Sequence, residues 1–157
     1  MVTDNPLLKS NTWTVIYDES LLKMESNWNR TFYVRYNLFN YCKTDICVRI
    51  DGSIGIKGSL DPIVNKLIDE NYDLGLLIHE CRNNIIDELK AWKYLRNYPD
   101  NKILNQMMFF DKSHYPMDYK GLIELTMSVT RNTKIQKEID QLTYYFVSYL
   151  SRDLQNF

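Results

Sequence analysis

An α/β fold with a mostly parallel sheet is the architecture this sequence predicts. Three observations predict it. Apolar residues switch along the chain between period two, the spacing of a strand, and period 3.6, the spacing of a helix. The two kinds of run alternate rather than cluster, which favours parallel strands joined by helices. Only 5 Gly and 4 Pro are present, and most of them mark the ends of runs. The 157 residues suit one domain, 1–157, with a single core.

The elements follow in order. Thr12 to Tyr17 is β-branched and aromatic, the composition of a strand. Thr31 to Tyr36 is a second short candidate for extended chain. In 45–51, Ile46, Val48 and Ile50 alternate with Cys47, Arg49 and Asp51, and Gly52 ends the run. Ile54 to Ile56 suggests a further short strand. Asp61-Pro62 then offers an N-cap and a first-turn proline, with Ile63, Leu67 and Ile68 as an apolar stripe. Leu74 to Ile78 is nearly all apolar, as in a central strand buried on both faces. Helices are expected over 83–97, with Ile85, Ile86, Leu89, Trp92 and Leu95 inward, and from Pro99 to Phe110, with Ile103, Leu104, Met107 and Phe110 inward. Residues 121–130 alternate as a strand. Thr133 caps a last helix reaching Leu150, with Ile135, Ile139, Leu142, Phe146 and Tyr149 on one face.

Composition narrows the function. Hydrophobic residues make up 45% and charged residues 25%, an ordinary balance. The net charge of -1, with Lys and Arg scattered, gives no basic field for nucleic acid. No apolar run approaches the ~18 residues of a membrane span. Met1 to Pro6 lacks a signal-peptide core, so a cytoplasmic protein is expected. Cys42, Cys47 and Cys81 are an odd number without metal-ligand spacing, and are read as reduced, mostly buried thiols.

Ligands of open α/β sheets bind beyond the carboxyl ends of strands. Asp51 and His79 each end a predicted strand. Were those strands parallel neighbours, the two side chains would share one crevice. The helix after His79 would offer amide N–H groups and a favourable dipole to an anion. Arg82 adds a planar cation suited to phosphate. These residues together describe a diphosphate site. Each has a plainer alternative: Asp51-Gly52 as a turn, His79 as a structural histidine, Arg82 as a solvated helix-start residue. Cys81 near His79 lacks a third orienting group, so a Cys–His hydrolase is the weaker idea.

The wording of several segments goes further than their spacing. Arg49-Ile50-Asp51-Gly52-Ser53-Ile54, then His79-Glu80-Cys81-Arg82-Asn83-Asn84-Ile85-Ile86-Asp87-Glu88, resembles a glycosyltransferase-like family of plants, bacteria and large viruses. Its members carry an I-D-G-N/S strand end and an H-P-x-R-x-C-I-Y-x-E helix start. Thr3-Asp4-Asn5-Pro6 with Trp13, Gln106, Gly121-Leu122-Ile123-Glu124 with Arg131, and Ser151-Arg152-Asp153 resemble further family motifs in the same order. The resemblance spans nearly the whole chain.

That resemblance implies a GT-A-type, Rossmann-like three-layer sandwich, here truncated. It lacks the opening strand and the C-terminal extension. It implies transfer of a sugar from a nucleotide diphosphate sugar to a glycan or other hydroxyl acceptor, with Mn or Mg as a divalent metal. Asp51 would hold the metal or the ribose. His79, Arg82, Gln106 and Arg152 would bind substrate. Glu88, Glu124 and Asp153 would orient or deprotonate the acceptor. Asp51→Ala would then abolish transfer and leave the fold intact. The family's D-x-D pair is reduced here to Asp51-Gly52-Ser53, which weakens metal binding. The alternative is a catalytically inactive binding or assembly module on the same fold. A sheet edge exposed by the missing strand would favour a homodimer.

Overall fold

The computed structural model describes residues 1–97, 99–114 and 116–155, the side chains of Arg96 and residues 149–155 excepted. It is mixed α/β. In chain order the elements are β1 (Val2–Thr3), β2 (Ile16–Tyr17), α1 (Asn27–Tyr36), β3 (Ile46–Ile50), α2 (Asp61–Asp69), β4 (Leu74–Ile78), α3 (Ile85–Arg96), α4 (Asp100–Lys112), β5 (Ile123–Arg131) and α5 (Lys134–Gln155). The chain divides into two compact units, one of residues 1–75 and 129–157, the other of residues 76–128. Among the described residues, no helix is long and apolar enough to cross a membrane.

In the first unit, β1 and β2 form a short parallel pair. The strand expected over Thr12–Tyr17 shortens to its last two residues. The extended piece expected over Thr31–Tyr36 is instead helical. The Ser26 hydroxyl accepts the Asn29 N–H and caps α1. Trp28, Phe32 and Tyr36 then meet ring to ring at one-turn spacing, the first pair tilted and the second stacked, with centroids 4.6 and 5.9 Å apart. Cap and ring contacts together outweigh the strand propensity of the aromatic residues. Ile54–Ile56 forms no strand. Asp61 is the first residue of α2 rather than its cap, and Leu67 is the buried member of that helix.

The larger sheet has the order β3-β5-β4. It is antiparallel, not mostly parallel as expected. The Arg131 N–H donates to the Asp73 carbonyl at one end of the β4–β5 pair, and the His79 N–H donates to the Leu122 carbonyl at the other. The reason lies in the connection. Two helices, not one, separate β4 from β5, and the chain re-enters the sheet at the end it left. Apolar periodicity carries no record of strand direction. β4 is correspondingly an edge strand, with Ile78 72% exposed, and not the doubly buried centre. The central strand is β5, where Ser128, Val129 and Thr130 are all buried.

α5 reverses its expected orientation. The stripe of Ile135, Ile139, Leu142 and Phe146 is exposed. The buried side carries Gln136 and, one turn on, half-buried Asp140, whose carboxylate accepts the Gln136 amide at 2.8 Å. Tyr144 continues that side and meets Tyr33 of α1 edge-on, centroids 5.8 Å apart. In the second unit, Leu89 is the buried residue of α3, while Leu95, Leu104 and Met107 are exposed rather than inward.

Candidate functional site

The residues singled out by sequence fall into two local clusters. In the first unit, Asp51 follows β3, two residues after Arg49 and so on the same strand face. One Asp51 oxygen accepts from the Arg49 guanidinium and from that of Arg35 on α1, the latter at 3.4 Å. Only 13% of the Arg35 side chain and 11% of the Arg49 side chain are exposed. Arg35 also lies over the Phe32 ring, 5.1 Å from its centroid. Burial, aided by Arg35 alongside, draws the Arg49 guanidinium below its ordinary range, and Asp51 opposes that shift.

This arrangement does not suit a metal at Asp51. Its carboxylate is already neutralised by two guanidinium groups, and a divalent cation would have to displace them against their repulsion. Ser53 adds no charge. What the cluster presents is a surplus of positive charge, two cations to one anion, which suits an anionic ligand. Nearby, a cleft of ≈ 70 Å³ is lined by Tyr36, Phe39, Lys137 and Asp140, among others. Sites for drug-sized ligands run to about 300–1,000 Å³, so this cleft takes no nucleotide.

The second cluster lies at the start of α3. Asn84 caps the helix by accepting the Asp87 N–H at 2.9 Å. Just before the cap, His79 Nδ1 accepts the backbone N–H groups of Cys81 and Arg82, each at 3.1 Å. The other ring nitrogen, Nε2, touches the Arg82 guanidinium. Arg82 Nε is 2.6 Å from Glu88 Oε2, and the Trp92 indole N–H donates to Glu88 Oε1 at 2.6 Å. His79, Arg82, Glu88 and Trp92 thus form one chain of contacts. Because His79 Nδ1 accepts two N–H groups, its Nε2 carries the ring proton and meets the guanidinium donor to donor, so the group that holds Arg82 is the Glu88 carboxylate. Glu88 Oε1 accepts the indole N–H, while Oε2 meets Arg82 Nε as an ion pair without hydrogen-bond alignment, which makes Glu88 a positioning group for Arg82.

The remaining candidates stand apart from these contacts. Gln106 is half-buried on α4. Glu124 is half-buried on β5 and accepts the Thr126 hydroxyl at 3.0 Å. The Arg152 and Asp153 side chains lie outside the described residues. Cys81 is exposed, not buried, and its backbone N–H rather than its thiol meets His79. Asp4 of the opening motif pairs with Arg30 at 2.7 Å. Three participants escaped sequence reasoning as site residues, Arg35, Arg49 and Trp92. Trp92 stands one helical turn from Glu88, a spacing that could have revealed the pair. Arg35 comes from a helix 16 positions away and left no local signal.

No family model matches this chain, and neither a curated protein nor a solved structure matches it.

Proposed function

We propose that the chain is a nucleotide-sugar glycosyltransferase that holds the donor diphosphate by arginine rather than by a metal. The observation that carries this reading is Arg82, held by the Glu88 carboxylate at the head of α3. When the bond between anomeric carbon and diphosphate breaks, negative charge grows on the departing phosphate. A guanidinium already oriented toward that position stabilises the charge without reorganising. Glu88 keeps Arg82 in place through its own bond to Trp92. Deprotonation of the acceptor hydroxyl falls to Glu124, the remaining described acid among Glu88, Glu124 and Asp153.

A second reading is a module that binds nucleotide sugars without turnover. It is favoured by the state of the acids: Asp51 is clamped by two arginines, and Glu88 is committed to the Trp92 indole and to its ion pair with Arg82. Calorimetry with UDP-, GDP- and CDP-sugars, with and without Mn²⁺, tests the shared premise. Heat of binding without Mn²⁺, weakened about tenfold or more by Arg82→Ala, supports arginine-based capture. Absence of heat with every donor overturns both readings. Binding without release of nucleoside diphosphate selects the module.

A further inference from the structure

The four outward apolar residues of α5 are spaced 4, 3 and 4 apart, the heptad repeat of a helix that packs against another helix. Ile135 is 63% exposed, Ile139 47%, Leu142 59% and Phe146 58%. The opposite side of the helix is the one packed into its own unit, through Gln136, Asp140 and Tyr144. A helix that buries its polar side and presents its apolar side is complete only when something covers that side.

We propose that this stripe is a self-association surface, covered by the same stripe of a second copy of the chain laid antiparallel about a two-fold axis. A two-fold between Ile139 and Leu142 is self-complementary. It sets Ile139 against the partner's Leu142 and Ile135 against the partner's Phe146, so each layer pairs two apolar side chains. Glu138 and Tyr145 lie along the same edge of the stripe, 61% and 65% exposed. Antiparallel pairing therefore brings each Tyr145 beside the partner's Glu138, whose carboxylate pairs with Lys134 of its own helix at 3.9 Å and keeps acceptor capacity beyond that pair. The length suffices: α5 has 22 residues, about 33 Å. The stripe is one aromatic and three aliphatic side chains, each about half exposed, which places the pair in the small, reversible class of interface.

Sedimentation equilibrium on the full chain tests this, using wild type, Ile139→Glu, Leu142→Lys and an equimolar mixture of the two variants. Wild type is expected at twice the 18.8 kDa of the chain. Each variant alone is expected as a monomer with unchanged far-ultraviolet circular dichroism. The mixture is expected to restore the dimer, because only antiparallel pairing places the new glutamate against the new lysine. A monomeric wild type overturns the proposal, as does a dimer that survives either substitution. Loss of helix in the single variants also overturns it, since the stripe would then belong to the interior of one copy. Failure of the mixture to reassociate rules out the antiparallel layer and the proposal with it.

Discussion

Asp51 is held by two nearly buried guanidinium groups, so its removal strands two like charges at close range. Asp51→Ala is therefore expected to destabilise the fold, by about 2 kcal/mol for a partly exposed member of such a cluster. Urea denaturation measures this directly, and a loss below a few tenths of a kcal/mol would remove the structural role. Asp140 makes a prediction of opposite sign. Burial raises its carboxyl above the ordinary 3.8, with the Gln136 amide opposing. As pH climbs past 3.8 the unfolded chain releases this proton before the folded chain does, so stability falls through that window and the deficit persists above it. Asp140→Asn keeps an acceptor for Gln136 and removes the cost. Its denaturation midpoint should exceed that of wild type at neutral pH and converge with it below the ordinary carboxyl range. The thiols differ in the same way. Burial, with Cys42 beside it, pushes Cys47 up to about 12, whereas Cys81 is exposed. Alkylation at neutral pH, followed by peptide mass, should label Cys81 well before Cys47.

At the scale of the element, the helices and strands that sequence foretold best are those whose own neighbours decide them. β3 needed only the alternation of Ile46, Val48 and Ile50, and α3 only the turn-spaced apolar residues after Asn83, with the Asn84 cap added by the structure. α1 was missed because its aromatic residues have strand propensity. Its helix depends on Ser26 and on ring contacts at i, i+4, signals that a propensity reading underweights. The direction of β5 and the outward turn of α5 were not legible at all. Both are settled by partners distant in sequence, such as Asp73 for Arg131 and Tyr33 for Tyr144. The site divides similarly. Arg82 and Glu88 belong to one local motif and are indeed in contact, whereas the arginine clamp on Asp51 draws on α1. The caps supply the test at this scale. Ser26→Ala and Asn84→Ala are each expected to cost about 1 kcal/mol, read as a lowered melting temperature, with Asn84→Asp restoring the second.

At the scale of the whole molecule, ligand capture appears as stability. A ligand that binds only the native state raises its melting temperature, by about 2.7 kcal/mol of added stability when present at a hundredfold its dissociation constant. UDP, GDP and CDP should therefore shift the thermal transition without Mn²⁺, and raised salt should shrink the shift if arginine carries the contact. A transition indifferent to all three would leave the arginine clusters without an anionic ligand. The division of the chain has a separate outcome during synthesis. The first unit is assembled from residues 1–75 and 129–157, and the Tyr33 ring of α1 finds its neighbour on α5. The ribosome must deliver 53 intervening residues, 76–128, before that neighbour exists. At about 5–20 residues per second, the newborn amino-terminal segment waits several seconds with its aromatic flank uncovered. Nascent-chain protease sensitivity should mark that interval, persisting until the final helix clears the exit tunnel.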